Sequence, residues 1–196
     1  MVICTGLPYD ICMKEITFIT GNANKAAHVA AWLSYPLNHR QLDLPEIQSL
    51  DVREVVAEKA KAAYEIVKQS VLVEDVAMQL PALGRLPGPF VKWFEEELGL
   101  EGVCHLLDAF KDRSAIVTCC YGLFDGENMH FFEAVMEGEL ADQPRGDRGF
   151  GFDPAFINKG YTKTRGEMTE TEYETTSMRK DALDTLAAFL RRQDNV

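Results

Sequence analysis

The chain lacks several features, and each absence removes a class of function. Across its 196 residues, no apolar run approaches the roughly 18 that a membrane span needs. Basic residues are scarce: 20 Lys+Arg stand against 31 Asp+Glu, a formal net charge of −11. A chain so acidic is a poor partner for a nucleic-acid polymer or an anionic membrane, because its overall field repels both. A small anionic ligand held by a few well-placed lysines is not excluded. The cysteines Cys4, Cys12, Cys104, Cys119 and Cys120 are odd in number and show neither a CxxC pair nor a zinc-type Cys/His spacing. They read as reduced thiols of a cytoplasmic protein. The first residues lack the basic-then-apolar order of a secretory signal. What is present is ordinary for a globular chain, 46% hydrophobic and 26% charged.

Residues 1–12 read as an N-terminal extension ahead of Met13, and residues 13–196 as a single α/β domain. A β-branched run at 15–20 stops at Gly21-Asn22, and a helix over 24–33 follows with Ala26, Val29, Ala30 and Leu33 at helical spacing. A short strand is expected at 42–44. A helix is expected over 52–69, where Val55, Val56, Ala60, Ala63 and Val67 recur at threes and fours. Residues 71–74 read as a buried strand ending in Glu74-Asp75. After the breaker Pro87-Gly88-Pro89, helices are expected over 90–98 and 103–110. Runs at 115–124 and 129–140 make a hairpin around Asp125-Gly126, and 178–192 closes the chain as a helix. The pattern predicts an elongated mixed β-sheet with flanking helices, in two lobes around a central cleft.

Candidate chemistry begins in the loop Thr20-Gly21-Asn22-Ala23-Asn24-Lys25, between a strand and a helix. A glycine that lets backbone approach a ligand, a helix N-terminus and a lysine are the parts of a phosphate cradle. Glu46 and Asp75 follow short apolar runs and offer the oxygen donors that Mg²⁺ takes alongside substrate phosphates. Lys59 and Lys92 supply compact positive charge for phosphate oxygens. Gly149-Phe150-Gly151-Phe152-Asp153-Pro154 alternates glycine with aromatic rings, which suits the stacking of a base. Arg179 opens the last helix as a hydrogen-bond donor.

Together, Thr20-Gly21-Asn22…Lys25, Val73-Glu74-Asp75, the run Ala82 to Phe94 with its Pro-Gly-Pro and Lys92-Trp93-Phe94, Phe150-Gly151-Phe152-Asp153-Pro154 and Gly166-Glu167-Met168 resemble the inosine triphosphate pyrophosphatase family. The resemblance runs in order over most of the chain. It implies a homodimer with a central cleft and Mg²⁺-dependent hydrolysis of deaminated or otherwise abnormal purine nucleoside triphosphates to monophosphate and pyrophosphate. By that resemblance Glu46 and Asp75 hold the metal; on chemical grounds Asp75 is the candidate to orient water as the catalytic base, with Glu74 a lesser helper. Thr20, Gly21, Asn22, Lys25, Lys59 and Lys92 meet the triphosphate. Phe150, Gly151, Phe152 and Asp153 line the base pocket with Arg179.

The chain also departs from that pattern. Tyr173 stands where the family has lysine, Glu174 where it has asparagine, and Met178 where it has histidine. Two donors are thereby lost from the end that recognises the base, so the expectation is a retained pyrophosphatase reaction with a relaxed or redirected base preference. An alternative is a nucleotide-binding protein without turnover. A third reading, paired carboxylates acting on a neutral sugar, has no use for the lysines or the glycine loop.

Overall fold

The computed structural model describes residues 15–149 and 151–193. The extension expected over 1–12 and the ring of Phe150 lie outside them. The first strand, β1 (Ile16–Ile19), is buried along its whole length. It leads into α1 (Ala23–Leu33), whose N-cap Asn22 accepts the Lys25 N–H at 3.0 Å. Then follow β2 (Leu37–Arg40), α2 (Val52–Val67), β3 (Ser70–Gln79), β4 (Pro87–Gly88), α3 (Val91–His105), β5 (Ser114–Phe124), β6 (Met129–Leu140), β7 (Phe156–Asn158), α4 (Glu170–Thr175) and α5 (Met178–Gln193).

The seven strands form one mixed sheet in the order β2-β1-β3-β5-β6-β7, with β4 paired to the far end of β3. β1 runs parallel to β2 and β3, and the remaining pairs are antiparallel. Helices cover both faces. One core gathers α1, α3 and α5 around Phe18, Leu72, Met78 and Tyr121. The other packs α2 through Val56, Ala60 and Ala63 against Val71, Val73 and Ala77. Among the described residues, no helix is long and apolar enough to cross a membrane.

Three expectations are corrected. The second strand is β2 at Leu37–Arg40 rather than 42–44, an edge strand of mostly exposed side chains held by its backbone register with β1. The strand expected over 71–74 continues to Gln79, because β5 pairs with it from Val71 to Gln79. Glu74 and Asp75 therefore sit in mid-strand and not beyond a strand end. The two helices expected after Pro87-Gly88-Pro89 form one segment, α3, interrupted at Gly99, whose φ of 67° no helix residue adopts.

The sheet also leaves a gap. On the side of β3 away from β5, β1 covers Ser70 to Leu72 and β4 covers Met78 and Gln79. Between them, Val73 to Ala77 have no strand partner on that edge among the described residues. The acidic pair lies in this gap.

Candidate active site

Alternation along a strand sends neighbouring side chains to opposite faces. It separates Glu74 and Asp75. Glu74 points to the face of α1 and α5, where its carboxylate meets Lys25 Nζ at 2.9 Å and accepts from Arg179 Nε at 2.9 Å. Asp75 points to the face of α2, where Lys59 Nζ donates at 3.2 Å and the Val76 N–H at 2.8 Å. Lys59 Nζ also lies 2.7 Å from Glu46 Oε1, so one ammonium holds both carboxylates read as metal ligands.

The electrostatics of the two acids differ accordingly. Burial pushes the Glu74 carboxyl up, but Arg179 and Lys25 more than offset it and hold it below the usual carboxylate range. For Asp75 burial dominates and the carboxyl titrates above its usual value, even with Lys59 pulling it back. Burial opposes charge on Lys59 as well, yet Asp75 and Glu46 outweigh that and keep it firmly protonated. Asp75 is thus a half-buried base with raised proton affinity beside a cation, and Glu74 an anchor whose charged form two further cations favour.

Two hollows meet at Asp75. One, a cleft of about 260 Å³, runs from Lys25, Glu74 and Asp75 to Gly151, Phe152 and Asp153, with Met178 and Arg179 on its wall. The other, about 300 Å³, lies towards Glu46, Gln48, Phe90 and Trp93. The residues expected at the triphosphate are therefore arranged unequally. Lys25, Lys59 and Arg179 converge on the carboxylates. Lys92 lines the cleft but stands at its rim, 76% exposed and 3.5 Å from Glu96. Thr20 Oγ1 accepts the Asn22 N–H at 3.2 Å, and the Asn22 side chain caps α1, so both shape the first loop.

The far end of the cleft adds two groups that the sequence did not single out, Arg165 and Glu95, to those that it did. Asp153 is buried and accepts from Arg165 Nε and from the Tyr173 hydroxyl, each at 2.7 Å. The Arg165 guanidinium lies over the Tyr173 ring, 4.2 Å from its centroid, and is itself 4% exposed. Loss of a lysine at Tyr173 therefore does not leave this end without a cation. Arg165, eight residues earlier in the chain, supplies one. Met178 opens α5 and is buried, so it contributes an apolar wall. Glu95 on α3 also faces this end. Burial, then the neighbouring Asp153 and Glu96, push its carboxyl up to about 7. In the sequence Glu95-Glu96-Glu97 reads as a solvated face, and only the spacing of three from Lys92 hinted that Glu95 turns inward.

The comparisons with known proteins agree in direction. The sequence profile of the Ham1 family matches residues 16–189. The inosine triphosphate pyrophosphatase of Schizosaccharomyces pombe is 40% identical over 187 residues, 93% of this chain and 98% of that protein. Inosine triphosphate pyrophosphatase 2 of Trypanosoma cruzi is 41% identical over 178 residues, 89% of this chain and 91% of that protein. The solved structure of a HAM1 protein from Coxiella burnetii superposes with a TM-score of 0.81 at 26% identity, covering 92% of this chain and all of that one.

Proposed function

The chain belongs to the Ham1 family, and from that footing we propose that its cleft hydrolyses nucleoside triphosphates to the monophosphate and pyrophosphate. The observation that carries the reading is Asp75, a half-buried carboxylate shared by both hollows, with cations on each side of it. A triphosphate needs length, positive charge and a base near its α-phosphorus, and this arrangement has all three.

Glu46 and Asp75 fit a Mg²⁺ ion. They are hard oxygen donors, and a single ammonium spans the distance between them. The ion would neutralise phosphate charge and polarise water there. The chain's own groups do the rest. Lys25 and Lys59 hold phosphate oxygens as point charges against the acidic background. Asp75 orients a water and takes its proton as the water oxygen bonds to the α-phosphorus. The bond from that phosphorus to the bridging oxygen breaks, and pyrophosphate leaves with the electron pair. The raised proton affinity of Asp75 suits it to the base role. Phe152 and the segment around Asp153 line the base end. Homodimerisation and a cytoplasmic location belong to the same proposal, the first from the resemblance and the second from the reduced thiols.

Incubation with Mg²⁺ and separate natural and deaminated triphosphates is expected to release one pyrophosphate per monophosphate, and chelation by EDTA to stop it. Release of orthophosphate would overturn the reading. Nucleotide binding without any release would favour the alternative of a protein without turnover.

The first loop gives a second test. Gly21 has no left-handed backbone, and an added Cβ would meet nothing nearer than Gln41 Nε2 at 3.6 Å, an ordinary contact. The fold does not require glycine there; a close-approaching ligand does. Gly21→Ala is expected to leave the thermal melt unchanged while raising KM about tenfold by displacing the phosphates. An unchanged KM would remove the loop from the site.

A further inference from the structure

Glu95 lies one helical turn after Lys92 on α3, and both side chains line the cleft. Its carboxylate lies near the Phe152 backbone N–H, which partly offsets the upward push of burial on its proton affinity. It lies so close to the opposite wall that a Cβ on Gly151 would stand 3.2 Å from its Oε2. The charged groups around it come from two elements. Across the cleft is Asp153, whose two oxygens already take Arg165 and Tyr173. On α3 are Glu96 and Lys92, which are drawn to each other. Glu95 is thus an acceptor in the cleft beside Gly151, Phe152 and Asp153, the segment read as the base pocket.

We propose that Glu95 reads the base, selecting a purine edge with two adjacent N–H donors, a ring N–H beside an exocyclic amino group, over an edge whose ring N–H is flanked by carbonyl oxygens. The inference rests on the cleft being a nucleoside triphosphate site and names the substrate class within it. A carboxylate offers two acceptors and no donor. Both of its oxygens are satisfied by the paired donors of a 2-amino-6-oxopurine. Hypoxanthine offers one such donor, and xanthine sets carbonyl oxygens on both sides of it. Lone pair against lone pair in a half-buried site is costly, since neither group keeps its water. Because burial and Asp153 bring the Glu95 carboxyl to about 7, its protonated form becomes a donor on the acid side and then suits a carbonyl oxygen. The selection should therefore weaken as pH falls through that value.

The test compares kcat/KM for dGTP, dITP and dXTP in the wild type and in Glu95→Gln, a substitution of equal size at a partly exposed position. The glutamine amide offers one acceptor and one donor, which matches the hypoxanthine edge. The dGTP to dITP ratio is expected to fall about tenfold or more in the variant. Its pH dependence near neutrality should disappear. A ratio unchanged within about twofold, or a loss shared equally by all three substrates, would overturn the proposal. Calorimetric binding of dGMP, dIMP and dXMP needs no turnover and separates the two claims. The wild type should prefer dGMP and the variant should not, even if no triphosphate is hydrolysed; equal affinities in the wild type would overturn it.

Discussion

Asp75→Asn is expected to lower pyrophosphate release by about a thousandfold or more while leaving the protein folded. The asparagine keeps the shape of the side chain and can still accept the Val76 N–H that Asp75 Oδ1 takes at 2.8 Å. It removes the negative charge and the proton acceptor together. Stability should not suffer, and the sign follows from the shift. The folded carboxyl titrates above its ordinary value, chiefly through burial, so its ionised form is disfavoured by folding at neutral pH. A neutral amide escapes that cost. Lys59 loses one partner but keeps Glu46 at 2.7 Å. Melting within a few degrees of the wild type, with turnover lost, is the expected pair of results. Turnover within tenfold of the wild type would remove Asp75 from the chemistry.

Periodicity and turn chemistry carried much of the fold. The α2 helix was legible because its apolar residues recur at threes and fours and nothing in it breaks that face. The β5–β6 hairpin was legible from two alternating runs around Asp125-Gly126. β2 was not, because Leu37–Arg40 is polar and exposed after Leu37 and exists through backbone pairing that composition does not record. The length of β3 was hidden by its own function: two acids in a buried strand read as its end, whereas ion pairs on both faces let the strand continue past them. Site residues close to motifs could be found from the sequence. Arg165 could not. Although it adjoins Gly166-Glu167-Met168, nothing in the sequence marks it to be buried against Asp153 and Tyr173.

Glu74→Gln is expected to be the more damaging change to the fold, because Glu74 is the more deeply buried of the two acids. Its side chain is 2% exposed, and it joins Lys25 beside the first loop to Arg179 on α5 across the middle of β3. Glutamine fills the same space and can still accept from Arg179 Nε. It removes the one negative charge that both Lys25 and Arg179 are paired with, on a side chain that is itself 2% exposed. Breaking a buried pair in this way costs about 3 kcal/mol, which for a chain of this size is a fall in melting temperature of about 6–12 °C. The pH dependence distinguishes this from a packing defect. The folded Glu74 carboxyl titrates below its ordinary value, so its contribution is complete above that ordinary value and is lost as pH falls through the lower folded one. The gap between wild type and variant should therefore be widest near neutrality and close in acid. A gap independent of pH would mean that shape, not charge, was lost. On the activity side, Lys25 and Arg179 lose the anchor that holds each at its end of the cleft, so KM should rise by about tenfold or more for every triphosphate. That uniformity separates the anchor from Glu95, whose loss should alter the preference between bases.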